Sequence, residues 1–367
     1  MKKKLICIML ISLFTAVVFG LEYNGIAYEQ WKTVLENGSL QEKVLALEAI
    51  GNISAPETEE LLMAYLDNEN DELRLTAVWA LGQINSAMAA EKICWMMGTE
   101  NDPRIDGALV NIGSPAVDFL ILKLKLATLL NHFEEGTRIA RILIDIQSPS
   151  GMVEVASYLS RLLSIPENRD DAKRMLSMIG DRAIEPLQIS LQTTYNKELI
   201  QDILKTLLLI ESERTLDTFY KYVSDTDPAI RALVANALGR IKSSNNTDFL
   251  ISMLRDENEN VRTQALVSLG EMQDSKAVVY ILTSLKDENP LIRAMAAYAL
   301  GQIRDVRAVY PLINLLDDRT VLSAVNPSTG RTEEQYVLDF AARALIRIND
   351  SRGIEELEKR GIKVVSE

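Results

Sequence analysis

One histidine and two cysteines are all that this chain of 367 residues holds of the side chains that most often bind transition metals. A zinc or other transition-metal centre needs three or four converging His, Cys or carboxylate ligands. His132 and Cys94 alone exclude a centre built from histidine and cysteine. His132, in LLNHFEEG, reads as a polar residue at a helix end, and Cys94, in ICWMM, as a small buried apolar one. No glycine-rich phosphate loop and no serine-nucleophile motif is present. DNENDE (67–72) and DENEN (256–260) lack the glycine and terminal glutamate spacing of a calcium loop and read as turns. The chain is therefore expected to carry no cofactor and to catalyse no reaction.

Aromatic residues are scarce, 6% of the total, and there are only 10 prolines against a hydrophobic content of 47%, so the core is one of Leu, Ile, Ala and Val on helices. Few residues favour strand. Basic residues are also few: 39 Lys and Arg face 52 Asp and Glu, for a formal charge of −13. Such a surface repels phosphate backbones, which are bound by clustered cations that release counterions, and nucleic acid is not an expected partner.

The first twenty residues stand apart. Lys2, Lys3 and Lys4 precede the uncharged apolar run 5–19, and Val18, Phe19 and Gly20 offer a cleavage site before Leu21. Fifteen apolar residues are fewer than the ~20 that span a bilayer comfortably, so residues 1–20 read as a secretory signal peptide. Cys7 sits inside the apolar run and not just after it, unlike a lipid-attachment cysteine. The expectation is an exported protein, periplasmic or secreted, without stable membrane insertion after cleavage. Loss of three lysines leaves 36 basic against 52 acidic residues, a charge near −16. The remaining Cys94 can form no internal disulfide.

What the chain does have is a repeat. DTDPAIRALVANALGRI (225–241), DENENVRTQALVSLGEM (256–272) and DENPLIRAMAAYALGQI (287–303) follow one another at intervals of 31 residues, with Arg231, Arg262 and Arg293 in register. A period of this length marks a solenoid, whose core grows by stacking and whose product is an extended surface. Each copy reads as a helical hairpin: an apolar stretch, a turn opening with Asp225, Asp256 or Asp287, and a second apolar-periodic run. Weaker copies carry Arg74 with Gly82 and, earlier, Gly51. The array amounts to about ten hairpins over 26–350, regular over 213–305 and degenerate over 86–212, where PRIDGALVNIG aligns Asp106 with the arginine column. The last hairpin holds a polar inserted loop, 319–335, and residues 351–367 form a terminal cap and tail. Gly51, Gly82, Gly239, Gly270 and Gly301 share one column, as do the small residues two positions before them. That column has two readings, a close approach of neighbouring helices or a simple helix end.

Hairpins of this length with Asp, then Val/Ile-Arg, then Ala-Leu-Gly-x-Ile resemble the HEAT-repeat proteins, in the short bacterial form named after phycobilin lyase subunits. The resemblance is strong over 213–305, fair over 40–85 and at the last hairpin, and thin between. It implies a right-handed α-solenoid whose second helices line a concave face. It also implies a structural ladder of turn aspartates (Asp225, Asp256, Asp287) and second-helix arginines (Arg74, Arg231, Arg262, Arg293). The repeated His-Glu pairs of the HEAT-repeat hydroxylases are missing, and the acidic charge disfavours a HEAT-like DNA glycosylase.

Counted from the arginine, positions +5 and +9 share a helix face beside the uniformly apolar +4 column. They carry Trp79, Asn236, Tyr298 and Arg343, and Gln83, Arg240, Gln302 and Arg347. A constant face beside a variable one is the pattern of a scaffold with its own binding surface, and Trp, Tyr and Arg are types enriched at interface hot spots. These eight residues are the candidate contacts for a protein partner. A chromophore-handling, lyase-like role is the alternative that the repeat type suggests.

Overall fold

The computed structural model describes residues 22–325 and 332–362 except Ser54, Pro56 and Lys242. The leader, the centre of the insertion (326–331) and the last residues of the tail lie outside the described residues. The chain is all-α in character and divides into two compact units, the first ending at Leu159 and the second beginning at Ser160.

Among the described residues the helices alternate, in chain order, as ten first-and-second pairs. The first unit opens with a two-residue ribbon, Glu22–Tyr23 against Ile26–Ala27, turned by Asn24 and Gly25 at φ of 53° and 75°. Helices Tyr28–Asn37 and Leu40–Asn52 follow, then Thr58–Ala64 with Asp71–Gln83, Ala90–Met96 with Pro103–Ile112, and Ser114–Leu130 with Phe133–Ile146. Helix Pro149–Leu162 crosses the unit boundary and precedes Arg169–Ile179. The second unit continues with Ile184–Thr193 and Lys197–Ile210, Leu216–Tyr220 and Pro228–Arg240, Asn246–Met253 and Glu259–Met272, Val278–Ser284 and Pro290–Ile303, and Val309–Leu315 and Val337–Ile348. Helix Ser351–Lys359 closes it.

The polar turns place the second helices. Asn70, Asp102, Asn196, Asp227, Asn258 and Asn289 each occupy an N-cap, where the side-chain oxygen accepts from a backbone N–H of the first turn. Pro103, Pro228 and Pro290 sit in the first turn, where the missing N–H costs nothing. The +4 column, Leu47, Val78, Ala235, Leu266, Ala297 and Ala342, is fully buried and forms the centre of each core.

The insertion is more ordered at its base than a polar loop. Val321–Val325 pairs antiparallel with Thr332–Tyr336, in a register that sets Val321 opposite Tyr336 and Val325 opposite Thr332. Its base is anchored by backbone bonds from Val337 N to Thr320 O at 3.1 Å and from Leu338 N to Asp318 O at 3.0 Å. Alternation in a segment this short is hidden by the helical periodicity on either side, which is why a strand pair reads as loop in the sequence.

Candidate functional site

The arginine column builds a repeating contact. Arg231 meets Asp256 through two bonds, Nε to Oδ2 and Nη2 to Oδ1, both 2.7 Å, while its Nη1 donates to the carbonyl of Asp225 at 2.8 Å. Arg262 approaches Asp287 at 3.2 Å and donates to the carbonyl of Asp256, and Arg293 reaches Asp318 at 2.7 Å and the carbonyl of Asp287. Each arginine thus ties its own turn to the next one, and Arg231 does so in the planar two-point geometry that only a guanidinium supplies. Arg74 repeats the pattern in the first unit with the carbonyl of Asn68 and the carboxylate of Glu100. Burial disfavours the charged form of Asp256, but the bonds from Arg231 and from the N–H of Asn258 outweigh it and hold the carboxyl below its usual range. Asp318 behaves alike under Arg293 and Thr320.

The column departs from its sequence assignment in three places. Asp225 receives Lys197 Nζ at 2.6 Å and no arginine, because position 200, where an arginine would stand, is isoleucine. Asp318 and Glu100, outside the sequence pattern, are acceptors. Asp106 is not in the arginine register: Gly82 packs against Ala108, which puts Asp102 there, capping its helix. Asp106 instead accepts from Arg138 at 2.8 Å, and Arg138 also bonds the carbonyls of Glu100 and Asp102.

The glycine column marks close approach. A Cβ on Gly51 would stand 2.6 Å from Ala80 Cβ, on Gly239 2.5 Å from Ser268 Cβ, on Gly270 2.9 Å from Ala299 Cα and on Gly301 2.8 Å from Ala344 Cα. The two small-residue columns are therefore one device, the glycine of each second helix lying on the small residue of the next. These glycines do not end their helices; the left-handed positions fall later, at Gln273 and Arg304.

With the ladder and the core assigned, the candidate contacts fall into separate places. In the first unit, Trp79 and Gln83 line a groove of about 680 Å³ with Gly107, Val110 and Asn111 of the next second helix and Ile142 of the one after. Its arginines are engaged: Arg104 bonds Glu72 and Asp102, and Arg138 bonds Asp106. In the second unit, Tyr298, Arg343 and Arg347 come together with Gln335, Phe340 and Ala344 around a pocket of about 200 Å³. Arg347 lies over the Tyr298 ring at 5.7 Å and Arg343 over Phe340 at 6.0 Å. Arg240 is exposed and pairs with Glu211, Gln302 is half-buried, and Asn236 is half-buried with its side-chain oxygen unbonded. Neither pocket contains these last three.

Sequence reasoning did not reach Val110, Asn111 and Ile142, which belong to the stretch where the repeat decays, or Gln335, which the ribbon delivers. His132 occupies an N-cap position but its side chain makes no cap bond; its Nδ1 lies 3.7 Å from Glu135. Cys94 is fully buried, and burial pushes its thiol up to about 12. Among the described residues no group of three or more His, Cys, Asp or Glu is placed to hold a metal ion, and no helix is long and apolar enough to cross a membrane.

Comparison with known proteins agrees with the fold. Solved structures of Kap121p bound to Ste12p and of Kap121p bound to Pho4p share 13% identity with TM-scores of 0.56 and 0.55, over 91% and 92% of this chain. The chain spans only 42% and 43% of the length of those two proteins. An engineered protein shares 18% identity over 88% of this chain and 99% of its own, with a TM-score of 0.38. Curated proteins yield no match. HEAT repeats match residues 29–113, 184–265 and 247–326, well over half of the chain, and the protein belongs to the HEAT-repeat family.

Proposed function

We propose that this protein is an exported, non-enzymatic scaffold that binds a protein partner through the second-helix positions that the ladder and the core leave at least partly open to solvent. The observation that carries the reading is the division of labour along those helices. Arg, Asp and Gly are consumed in stacking, whereas Trp79 and Tyr298 stand outside the ladder and the core, each beside a cavity. An aromatic ring at the edge of a cavity brings large contact area at low entropic cost, the usual character of an interface anchor. Kap121p, whose solved structures share the fold, is bound in them to Ste12p and to Pho4p, which supports a protein-binding role here. Export rests on the leader alone.

Capture from the native cell envelope with wild type and with the Trp79→Ala/Tyr298→Ala variant tests the proposal. The wild type retains a defined partner that the variant loses by at least tenfold while keeping its helical circular dichroism. Equal capture by both refutes the second-helix surface. The lyase-like alternative predicts a visible absorption band in the purified protein, and a spectrum with only the aromatic band removes it.

A further inference from the structure

Gly107 is a glycine that the stack does not explain. It lies in the middle of helix Pro103–Ile112, where glycine costs about 1 kcal/mol relative to alanine. Gly51, Gly82, Gly239, Gly270 and Gly301 leave no room for a Cβ against the next helix, whereas a Cβ on Gly107 meets nothing within 4 Å. Its φ is not positive, so no left-handed turn requires it either. Gly107 lies instead on the groove of about 680 Å³, between Trp79 of the preceding second helix and Ile142 of the following one. A glycine with neither a packing nor a conformational reason leaves space for another backbone to come close.

Two carboxamides line the same groove. Gln83 and Asn111 are exposed, each in the last turn of its helix. Those helices touch through Gly82 and Ala108, so their axes lie about 8–10 Å apart. A carboxamide carries a donor and an acceptor side by side, the complement of a peptide group. The charges of the groove balance: Arg104 pairs with Glu72 and Asp102, Arg138 pairs with Asp106, and Arg141 and Asp145 add one of each sign. Such a lining does not select a phosphate or a highly charged ligand.

We infer, resting on the second-helix surface proposed above, that this groove takes an extended segment of a protein partner and grips it by its main chain. A helical or sheet segment bonds its N–H and C=O groups internally, whereas a polyproline II segment leaves them free. That conformation repeats every three residues, about 9.3 Å, which matches the spacing of packed helices. Gln83 and Asn111 therefore bond peptide groups three residues apart. Gly107, one turn before Asn111 on the same face, lets the chain lie against the helix, and one apolar side chain of the segment enters between Trp79 and Ile142. Three second helices span about 20 Å, the length of about six such residues.

A phage-displayed library of random peptides about twice that length, panned on the purified full chain, supplies the probe. Enriched peptides, read by fluorescence anisotropy, bind one site and share an apolar residue. An ester scan of their backbone finds two sensitive positions three residues apart. Gly107→Leu melts at or above the wild-type temperature, since leucine is the better helix former, yet weakens binding at least tenfold; Gly107→Ala weakens it less. Gln83→Leu/Asn111→Leu keeps the melting curve and weakens binding about tenfold. No enrichment beyond that of the same library panned on Gly107→Leu overturns the inference. So do peptides that bind Gly107→Leu as tightly as wild type, that gain helical circular dichroism on binding, or that tolerate an ester at every position. Envelope capture that Trp79→Ala/Tyr298→Ala loses and Gly107→Leu retains leaves the second-helix surface standing and removes the extended segment.

Discussion

Gly107 and Gly239 both lie inside second helices, and replacing each by alanine separates helix propensity from packing. Alanine is favoured over glycine in a helix by about 1 kcal/mol. A Cβ on Gly107 meets nothing within 4 Å, so Gly107→Ala keeps that gain. A Cβ on Gly239 stands 2.5 Å from both Cβ and Oγ of Ser268 and 2.9 Å from its Cα, a backbone atom that no rotamer change removes. Forcing the helices apart costs about 1–3 kcal/mol as overpacking. It also strains the buried bond from Ser268 Oγ to the carbonyl of Ala235, 2.8 Å long, whose loss adds about 1–2 kcal/mol. Gly239→Ala is thus destabilising by about 2 kcal/mol net, and the two variants differ by about 3 kcal/mol. Urea titration reads the difference, and the tryptophans localise it. Trp31, Trp79 and Trp95 all belong to the first unit, so their fluorescence follows that unit while circular dichroism at 222 nm follows both. Gly107→Ala raises the fluorescence midpoint by about 0.5 M, and Gly239→Ala lowers the dichroism midpoint of the second unit by about 1 M, for a slope of about 2 kcal/mol/M. Ser268→Gly in the Gly239→Ala background recovers part of the loss. A Gly239→Ala protein stabilised like Gly107→Ala would refute the close-approach reading.

Further predictions concern the ladder and the buried thiol. Arg231→Ala leaves Asp256 part-buried and unpaired and lowers stability by about 3 kcal/mol; Arg231→Lys, which cannot reproduce the two 2.7 Å bonds, loses about 1–2 kcal/mol, both read from denaturation midpoints. Because Asp256 and Asp318 are held below their usual range in the folded protein, the stability they contribute is full above about pH 4 and falls away as pH drops through the folded values. Asp256→Asn flattens that acid limb of the stability curve; an unchanged slope contradicts the assignment. Cys94, buried and with its thiol pushed up to about 12, resists alkylation at pH 8 in the native protein and reacts fully in denaturant, which mass spectrometry distinguishes. Native labelling at the unfolded rate contradicts its burial.

Much of the fold is legible in the residues because a stacked repeat writes its contacts locally. Each ladder arginine bonds a turn six residues before it and a carboxylate about 25 residues after it, so the period alone brings Arg231, Arg262 and Arg293 to equivalent places. The N-cap Asn and Asp act within two or three residues and are read directly. Where the repeat loses its marks, phase is lost with it. Asp106 sits four residues from its assumed column because only the contact of Gly82 with Ala108 sets the register there. The buried pairing of Asp202 with Arg169 and Lys173 has no counterpart in the repeat from which to anticipate it.

The sequence by itself determined that the chain is a HEAT-repeat solenoid of helical pairs and that Arg231, Arg262 and Arg293 hold equivalent places in it, since these follow from periodicity and from side-chain chemistry along one helix. Only the tertiary structure decided that the glycines face the small residues of the next helix and that the insertion is a β-ribbon at its base. It likewise decided that Trp79 borders a groove with Ile142 two second helices away, that Tyr298 meets Arg347, and that Leu122, Leu126 and Leu129 of helix Ser114–Leu130 face outward. Each of these depends on the distance between helices that the sequence separates by tens of residues, and that distance is set by packing.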